Sequence, residues 1–293
     1  MAEGRIIKAL SGFYYVENED GIFQCRGRGN FRKRKITPLV GDRVTFEAEN
    51  ATDGYVLEVH DRKNKLVRPP IANVEQAVLV FSAQEPDFSP HLLDKFLVHV
   101  EANDIEPVIC LSKIDLLDEE TEEALAEVET LYRNAGYEVL STSIYVDETI
   151  ELLRPYLRER VSVFAGQSGV GKSSLLNALK PELNLETNQI SKSLGRGKHT
   201  TRHVELIPVD TGYVADTPGF SSLDFQGVSP ETLALCFPEM RERSEDCRFR
   251  QCTHINEPSC AVKESLNEGE IAPSRYKHYV QFMQEIQNQK RRY

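Results

Sequence analysis

Apolar and polar residues alternate in short runs through the first part of the chain. Four of these runs have the period of two that half-buried β-strands show, at residues 5–10, 13–16, 43–47 and 55–60. Gly, Asn and Asp stand between the runs, which is typical of the turns in a small all-β barrel. Because proline fixes φ and restricts the residue before it, Arg68-Pro69-Pro70 should end this pattern. We therefore predict a β-barrel domain over residues 1–68.

From residue 76 onward, short apolar runs alternate with helical stretches. Helices are expected at residues 92–100, 118–134, 148–158 and 172–179. Strands are expected at AVLVFS, PVICLS, YEVLS, VSVFAG, VELIPV and GYVADT. Apolar strands that alternate with helices indicate a mostly parallel sheet covered on both faces. We predict an α/β domain over residues 69–227, followed by a mainly helical domain over residues 228–293.

Length and composition agree with several domains, because 293 residues, 40% of them apolar, are long for a single unit. The longest unbroken apolar run covers residues 77–81, whereas a membrane-spanning helix needs about 20 residues. The first residues also lack the long apolar segment and the small-residue cleavage site of a secretory signal. We expect a cytoplasmic protein without a membrane segment.

The charge of the chain is uneven. The formal net charge of −11 argues against a nucleic-acid partner, but residues 1–68 carry 13 Lys and Arg against 10 Asp and Glu, a net charge of +3. Cations for phosphates and an aromatic ring for a base suit an RNA-binding face, with a solvated turn as the alternative. Gly29-Asn30 predicts that this cluster lies on a β-hairpin. Its members surround Phe31 and are Arg26, Arg28, Arg32, Lys33, Arg34 and Lys35.

A glycine-rich segment fits the phosphate-loop pattern G-x-x-x-x-G-K-[ST] between an apolar strand and a helix, which is the context that this motif requires. Glycines allow successive amides to face phosphate oxygens, and the helix presents its positive end. We expect Lys172 to contact the β- and γ-phosphates and Ser173 to ligate Mg²⁺. A purely structural turn is the alternative. The expected nucleotide contacts are Gly166, Gln167, Ser168, Gly169, Val170, Gly171, Lys172, Ser173 and Ser174.

Two later segments fit the parts of a GTPase that sense the γ-phosphate. Asp216 begins the tetrapeptide DTPG after a predicted strand, so it should hold the magnesium shell while the Gly219 amide reaches the γ-phosphate. The polar stretch 191–203 contains Thr200 and Thr201, of which one hydroxyl should ligate Mg²⁺ only when the γ-phosphate is present. The sequence does not choose between them. A solvated basic loop is the alternative for this stretch.

Phe220 stands where many Ras-like enzymes carry a water-orienting glutamine just after D-x-x-G. An apolar side chain cannot position water, so we predict slow intrinsic turnover and catalytic help from another group or from a partner. His199 is the candidate catalytic residue, together with Lys172 and the Gly219 amide. A contact of His199 with RNA or solvent is the alternative.

Guanine is predicted as the base because the tetrapeptide SKID, which begins at Ser112, follows an apolar strand as N-K-x-D does in GTPases. Asp115 can accept from N1–H and N2–H₂ of guanine, whereas adenine offers an acceptor and no amine there. Lys113 would cover the ring, and the backbone of the loop 140–143, which contains Ser141 and Thr142, is expected near guanine O6. This base-reading segment precedes the phosphate loop, whereas ordinary GTPases place it after D-x-x-G. We therefore predict a circularly permuted order.

Three cysteines and a histidine crowd one short stretch near the C-terminus. In a reducing compartment this grouping favours a metal over disulfides. Three thiolates and one imidazole make a complete tetrahedral set for one structural zinc ion, with unligated cysteines as the alternative. The expected ligands are Cys247, Cys252, His254 and Cys260.

These motifs, in this order, resemble the small ribosomal subunit biogenesis GTPases, the family called RsgA, YjeQ or YloQ. The resemblance covers nearly the whole chain, from the basic barrel through SKID, GQSGVGKS, GRGKHTTRH and DTPGF to the Cys/His tail. It implies an N-terminal all-β OB-fold barrel that binds RNA, a circularly permuted α/β P-loop GTPase domain, and a zinc-binding tail. It also implies late assembly of the 30S subunit, with GTP hydrolysis stimulated by that particle and contacts to its rRNA.

Two other functions fit parts of the chain. A P-loop ATPase or kinase would share the phosphate loop, although the sequence contains no evident adenine determinant. A non-enzymatic zinc-containing RNA-binding protein would keep the basic barrel and the Cys/His tail. For the favoured GTPase we expect a monomer.

Overall fold

The computed structural model describes residues 1–29, 31, 36–67, 69–183, 185, 204–215, 225 and 227–290, with side chains as far as residue 288. The N-terminal part is a closed barrel in the strand order β1-β2-β3-β5-β4. Strands β4 and β5 alternate buried and more exposed positions, as the sequence pattern predicts. The strands are β1 (Ala2–Leu10), β2 (Phe13–Asn18), β3 (Gly21–Gly27), β4 (Arg43–Asn50) and β5 (Asp53–Val59).

The structure adds one strand to the four that the barrel sequence predicts. Strand β3 has a single fully buried side chain, Cys25, so its apolar signal is weak. It pairs antiparallel with β2 and parallel with β5, and the next strand, β4, pairs with β1 and β5. The two strands that flank Gly29-Asn30, β3 and β4, are therefore not paired with each other. The hairpin predicted at Gly29-Asn30 stays a prediction, because Asn30 and residues 32–35 lie outside the described residues.

The role predicted for Phe31 is wrong. Its side chain is only 7% exposed and belongs to the core of the barrel, so it cannot stack on a base. Two members of the basic cluster are exposed: the Arg26 guanidinium lies 5.1 Å from the Phe13 ring centroid, and Arg28 pairs with Glu47 at 2.9 Å. The remaining members, residues 32–35, lie outside the described residues.

A six-stranded sheet in the order β10-β9-β8-β11-β13-β12 forms the centre of the molecule. Neighbouring strands are parallel except for β12 and β13, so the predicted mostly parallel sheet is confirmed. All seven residues of β8 are buried, which explains why its sequence shows no alternation. The strands are β8 (Gln76–Ser82), β9 (Glu106–Ser112), β10 (Glu138–Thr142), β11 (Val161–Ala165), β12 (Leu206–Val209) and β13 (Gly212–Ala215). A separate two-stranded sheet joins β6 (Lys65–Leu66) and β7 (Ile71–Ala72).

Helices connect the strands of the central sheet. Ser89 caps α1 by accepting from the Leu92 amide, and Asp118 and Thr121 form a reciprocal capping box at the start of α2. The helix predicted at 148–158 is divided into α3 and α4, and Pro155, which lacks an amide hydrogen, lies in the first turn of α4. The helices are α1 (Pro90–Glu101), α2 (Glu119–Asn134), α3 (Asp147–Glu151), α4 (Arg154–Leu157) and α5 (Lys172–Leu179).

The C-terminal part is helical around a Cys/His loop at residues 245–260, as predicted. A 3-10 turn at Leu233–Cys236 precedes α6 (Pro238–Ser244), α7 (Ala261–Glu268) and α8 (Pro273–Lys290). Phe237, Met240, Tyr279 and Phe282 are fully buried in a core of their own. None of the helices in the described parts of the chain is long and apolar enough to span a membrane.

A buried ion pair joins helix α8 to helix α1, which packs on the central sheet. Arg275 donates to Asp94 of α1 at 2.6 Å and to Glu239 at 2.7 Å, and both Arg275 and Asp94 are at most 1% exposed. Burial alone would lower the pKa of Arg275, but Asp94, Tyr137 and Glu239 raise it well above its usual value. The C-terminal helices are therefore held against α1 by a charged contact with water excluded from it.

Candidate functional site

The predicted nucleotide-binding residues meet at one edge of the central sheet. Parallel strands place the loops that follow them at the same edge, where ligands bind in open α/β sheets. SKID follows β9, the phosphate loop follows β11, and the segment with Ser141 and Thr142 ends β10. Strand β8 separates β9 from β11, so the two main motifs are two strands apart although they are distant in sequence.

The phosphate loop has the backbone that its glycines permit. Gly166 has φ of 142°, and a Cβ atom there would lie 2.0 Å from the carbonyl oxygen of Val80. Gly171 has φ of 94° and stands immediately before α5, whose first residue is Lys172. A left-handed residue before a helix turns the loop sharply and leaves the first amides of the helix without intrahelical partners. This edge therefore has the backbone geometry of an anion site.

Lys172 lies over the loop that it follows. Its ammonium group donates to the carbonyl oxygen of Gly166 at 2.9 Å and also to that of Gln167. Burial lowers the pKa of Lys172 to about 8. Ser173, the next residue of α5, is 6% exposed, and Ser168 lies in the loop itself. The amine is thus already directed toward the loop interior, where phosphates would bind.

Ser112 connects the base-reading segment to the phosphate loop. Its hydroxyl donates to the carbonyl oxygen of Val170 at 2.6 Å, and the carbonyl oxygen of Phe81 lies 3.2 Å from the same hydroxyl. A serine has one hydroxyl hydrogen, so it can bond fully to one acceptor at a time, and the shorter contact is the one to Val170. This single bond fixes the distance between the first residue of SKID and the loop that would hold the phosphates.

Asp115 is aligned by Ser143, a member of the predicted base-contact loop whose side-chain role the sequence did not reveal. The Ser143 hydroxyl donates to Asp115 Oδ1 at 2.6 Å, and Ser143 is 1% exposed. Lys113 has φ of 61° and its ammonium donates to the carbonyl oxygen of Glu85, which holds the turn before Asp115. The available signal was positional, because Ser143 is the first residue after β10, beside the end of β9.

The neighbouring residues Ser141 and Thr142 have side-chain partners inside the protein. The Ser141 hydroxyl donates to Glu129 Oε1. Thr142 is 1% exposed, and its hydroxyl lies 3.3 Å from Cys110 Sγ. Their side chains are therefore not directed at Asp115, and the predicted approach of this backbone to guanine O6 stays a prediction.

The predicted γ-phosphate-sensing and catalytic residues lie outside the described residues: His199, Thr200, Thr201, Asp216 and Gly219. The described strand that leads to DTPG, β13, ends at the same edge of the sheet as the phosphate loop. β13 ends at Ala215, which is paired with Val163 of β11, the strand that carries the phosphate loop. The roles of these five residues stay predictions.

The four predicted zinc ligands converge in the C-terminal loop. The ligand atoms of Cys247, Cys252, His254 and Cys260 all lie within 4.8 Å of one another. Cys247 Sγ is 3.9 Å from Cys260 Sγ and 3.6 Å from His254 Nδ1. Tetrahedral zinc at about 2.3 Å from each sulfur requires sulfur atoms about 3.8 Å apart. The cluster therefore fits zinc, with Nδ1 as the histidine ligand.

The surroundings of the cluster orient His254. Its Nε2 lies 3.2 Å from the Ser244 hydroxyl, and Tyr276 donates to its backbone carbonyl oxygen at 2.7 Å. Burial lowers the pKa of His254, which favours the neutral imidazole that binds metals. Burial would raise the pKa of Glu257, but hydrogen bonds from Thr253, the Glu257 amide and the Ile255 amide hold it at about 2. The loop between the ligands is thus held by its own polar contacts.

This fold defines a class, the P-loop nucleotide-binding proteins, with the segment after β9 placed ahead of the phosphate loop in the chain. The family model described as RsgA GTPase matches residues 59–226, and the one described as RsgA N-terminal domain matches residues 3–56. The chain belongs to the RsgA GTPase family, and it is accordingly a GTP hydrolase. The domain boundaries at 68/69 and 227/228 stay predictions.

Curated relatives and solved structures match along the whole chain. The small ribosomal subunit biogenesis GTPase RsgA of Bacillus cytotoxicus is 64% identical over 293 residues, and that of Bacillus subtilis is 58% identical over 298 residues, with 100% of both chains covered in each case. The crystal structure of YloQ, a circularly permuted GTPase, is 53% identical with a TM-score of 0.87 and covers 99% of this chain and 96% of its own. YjeQ from Thermotoga maritima is 38% identical with a TM-score of 0.86, at 97% and 98% coverage. The predicted family and permuted fold are confirmed.

Proposed function

We propose that the nucleotide-binding edge binds GTP and GDP, with the phosphates in the loop after β11 and the guanine between the loops after β9 and β10. The observation that carries this proposal is the 2.6 Å hydrogen bond from Ser112 to the Val170 carbonyl oxygen, which fixes the base-reading segment against the phosphate loop. Asp115 reads N1–H and N2–H₂ of guanine, and Ser143 holds its carboxylate in place. The loop amides of residues 166–174 contact the phosphates.

Lys172 and Ser173 act at the transferred phosphate. Lys172 exchanges the Gly166 carbonyl oxygen for the β- and γ-phosphate oxygens, which favour its charged form. The Ser173 hydroxyl, in the first turn of α5, would hold Mg²⁺ with Thr201 or Thr200 and with Asp216. When bound, Mg²⁺ neutralises charge that develops on the phosphate oxygens. The Gly219 amide contacts the γ-phosphate, and His199 supplies the water-orienting group that Phe220 cannot provide.

The Cys/His cluster holds one structural zinc ion. Three sulfurs and one nitrogen complete a tetrahedral shell, which leaves no position for a reacting water. The 3.9 Å separation of Cys247 Sγ and Cys260 Sγ supports this assignment. The ion would fix the loop before α7, because Cys260 is the residue immediately before that helix.

The partner is the small ribosomal subunit. The names of the relatives connect them with its biogenesis, and we propose that this chain hydrolyses GTP late in that assembly, in the cytoplasm, as a monomer stimulated by the subunit. The exposed side chains of Arg26 and Arg28 on the barrel support contacts with rRNA phosphates.

The test is GTP hydrolysis by the full chain with and without purified small ribosomal subunits. We expect slow turnover alone and a large increase with the particle, no increase with large subunits, and loss of both rates in Lys172→Ala. Hydrolysis of ATP at the same rate would contradict the guanine assignment. A GTPase rate that small subunits leave unchanged would contradict the proposed partner while leaving the nucleotide site intact.

A further inference from the structure

Exposed apolar side chains lie in the two loops that carry the base-reading residues, and the nucleotide contacts proposed above leave this group of side chains, called the patch below, without a role. Eleven large apolar side chains are exposed among the described residues. Four of them lie in the two loops that follow β9 and β10: Leu116, Ile144, Tyr145 and Val146. Apolar side chains that are exposed together, rather than singly, mark binding surfaces.

Tyr145 is the most exposed member of this patch and the one most closely tied to Asp115. The residue is 79% exposed. Its backbone amide donates to the Ser143 hydroxyl at 3.2 Å, and the same hydroxyl donates to Asp115 Oδ1 at 2.6 Å. One hydroxyl group therefore sets the positions of both the carboxylate and the backbone that carries the tyrosine.

The loop that carries Tyr145 is fixed even though the ring is exposed. The Ser143 amide donates to Thr149 Oγ1 at 2.9 Å, and the Val146 amide donates to the Ser143 carbonyl oxygen at 3.2 Å. The Thr149 hydroxyl lies within hydrogen-bonding distance of the carbonyl oxygens of both Ser143 and Val146. A fixed backbone with a projecting aromatic side chain loses little conformational entropy when it binds a ligand.

An exposed aromatic residue whose backbone shares the Ser143 hydroxyl with an edge-reading carboxylate suits a nucleobase. Hydrogen bonds that Asp115 accepts from guanine involve only the edge of the base and leave the plane of the ring free to tilt. Contacts on the two faces remove that freedom, and the Lys113 stem can supply one of them. Stacking on an aromatic side chain strengthens binding of a base by about fivefold to 150-fold, because every base has a π-face.

We propose that Tyr145 is a nucleotide-contact residue that stacks on one face of the guanine, opposite the stem of Lys113. This inference rests on the proposed function, since it requires the base to lie between the loops after β9 and β10. The ring makes no distinction between the exocyclic groups of purines, so Tyr145 contributes affinity while Asp115 provides selectivity.

The first experiment uses the absence of tryptophan from the chain. Tyr145→Trp introduces a single indole whose fluorescence reports on its surroundings. We expect GDP to quench this emission in a saturable manner, with a midpoint at the Kd measured independently by calorimetry. Tyr55→Trp is the matched control, because Tyr55 is also exposed, at 42%, but lies on β5 of the barrel. Emission from Tyr145→Trp that does not respond to saturating GDP would overturn the proposal.

The second experiment measures affinity in the full chain. Tyr145→Ala should raise the Kd for GDP about tenfold, which corresponds to about 1.4 kcal/mol. Tyr145→Phe, which keeps the ring, should retain the affinity of the natural protein. In the Asp115→Asn background, Tyr145→Ala should weaken the binding of xanthosine diphosphate by the same factor, because stacking does not depend on the hydrogen-bonding groups of the base.

These outcomes separate the inference from the proposed function. If the natural protein fails to bind GDP, the proposed function is wrong. If it binds GDP and Tyr145→Ala binds equally well, the proposed function stands and the stacking role is refuted. In that case, loss of stimulation by small ribosomal subunits in Tyr145→Ala would assign the patch to the particle instead of the base.

Discussion

The nucleotide-binding edge and the Cys/His cluster are both built from loops, but their functional atoms have different partners. At the edge, Lys172 donates to the Gly166 carbonyl oxygen and Asp115 accepts from Ser143. In the cluster, the nearest polar partners of Cys247 Sγ are His254 Nδ1 and Cys260 Sγ, which are ligand atoms themselves. The fold therefore supports the functional atoms of the edge with its own hydrogen bonds. In the cluster, polar contacts such as that of Thr253 with Glu257 hold the loop backbone, whereas the sulfur atoms depend on an ion to hold them together.

Ion dependence follows from the charge that zinc ligands must carry. Thiolates bind the metal, and three thiolates within a few ångströms of one another repel unless a cation lies between them. A protein group such as Lys172 keeps a satisfactory partner when no nucleotide is bound. The two regions should consequently respond in opposite ways to loss of their ligands.

The largest expected effect is loss of zinc. We expect Cys260→Ser to lose the ion and to unfold the loop 245–260, since structural zinc contributes about 10–16 kcal/mol in small zinc domains. Zinc content by mass spectrometry and hydrogen exchange across residues 245–271 measure this. Cys236→Ser is the control, because Cys236 is also buried but lies outside the cluster. Full zinc content in Cys260→Ser, or unchanged hydrogen exchange, would contradict the expected dependence of this loop on zinc.

The next effect concerns selectivity at the edge, with no change in folding. Asp115→Asn removes a charged acceptor of two hydrogen bonds, so the affinity for GDP should fall by about 10²- to 10⁴-fold while xanthosine diphosphate becomes the preferred ligand. Calorimetry with both nucleotides gives the ratio of their Kd values. Asp118→Asn is a matched control three residues away, since Asp118 caps α2 and asparagine caps equally well. A GDP preference that survives Asp115→Asn would refute the base-reading role.

The features that the sequence predicted are those encoded locally. The phosphate loop occupies consecutive residues between β11 and α5, and the four cluster ligands lie within 14 positions, from Cys247 to Cys260. Strand β8, which is fully buried, and strand β9, whose last five residues are buried, were also evident, because uninterrupted apolar runs are typical of central parallel strands.

Features that depend on distant pairs were missed. Ser143 contacts Asp115, 28 residues earlier, and Arg275 contacts Asp94, 181 residues earlier, and neither partner has a local signature. Phe31 was assigned to an RNA-binding face because it stands among arginines, yet apolar burial places its ring in the barrel core. Side-chain pairing across the fold is set by tertiary packing, which single-sequence patterns do not contain.

A smaller effect tests whether hydrogen bonds within the protein preorganise the edge. Ser112→Ala leaves the Val170 carbonyl oxygen without its 2.6 Å partner, so nucleotide affinity should fall by about twofold to tenfold, the equivalent of one neutral hydrogen bond. Ser162→Ala on β11 is the control, because the buried Ser162 hydroxyl has no hydrogen-bond partner among the described residues. We expect the control to retain full affinity, and an equal affinity in both variants would show that the link is dispensable.

The smallest effect is a proton taken up at Lys172. Burial lowers the pKa of Lys172 to about 8, so near pH 9 its amine is mostly neutral in the free protein. Nucleotide phosphates favour the ammonium form and raise this pKa, so Lys172 should contribute an uptake of close to one proton near pH 9 and almost none near pH 6, where the amine is already charged. Calorimetry in two buffers with different ionisation enthalpies measures the uptake. Lys172→Arg should take up close to one proton fewer near pH 9, because a guanidinium stays charged in both states. Equal uptake in Lys172→Arg and in the natural protein would assign the proton to another group, and would mean that Lys172 is already charged when no phosphate is bound.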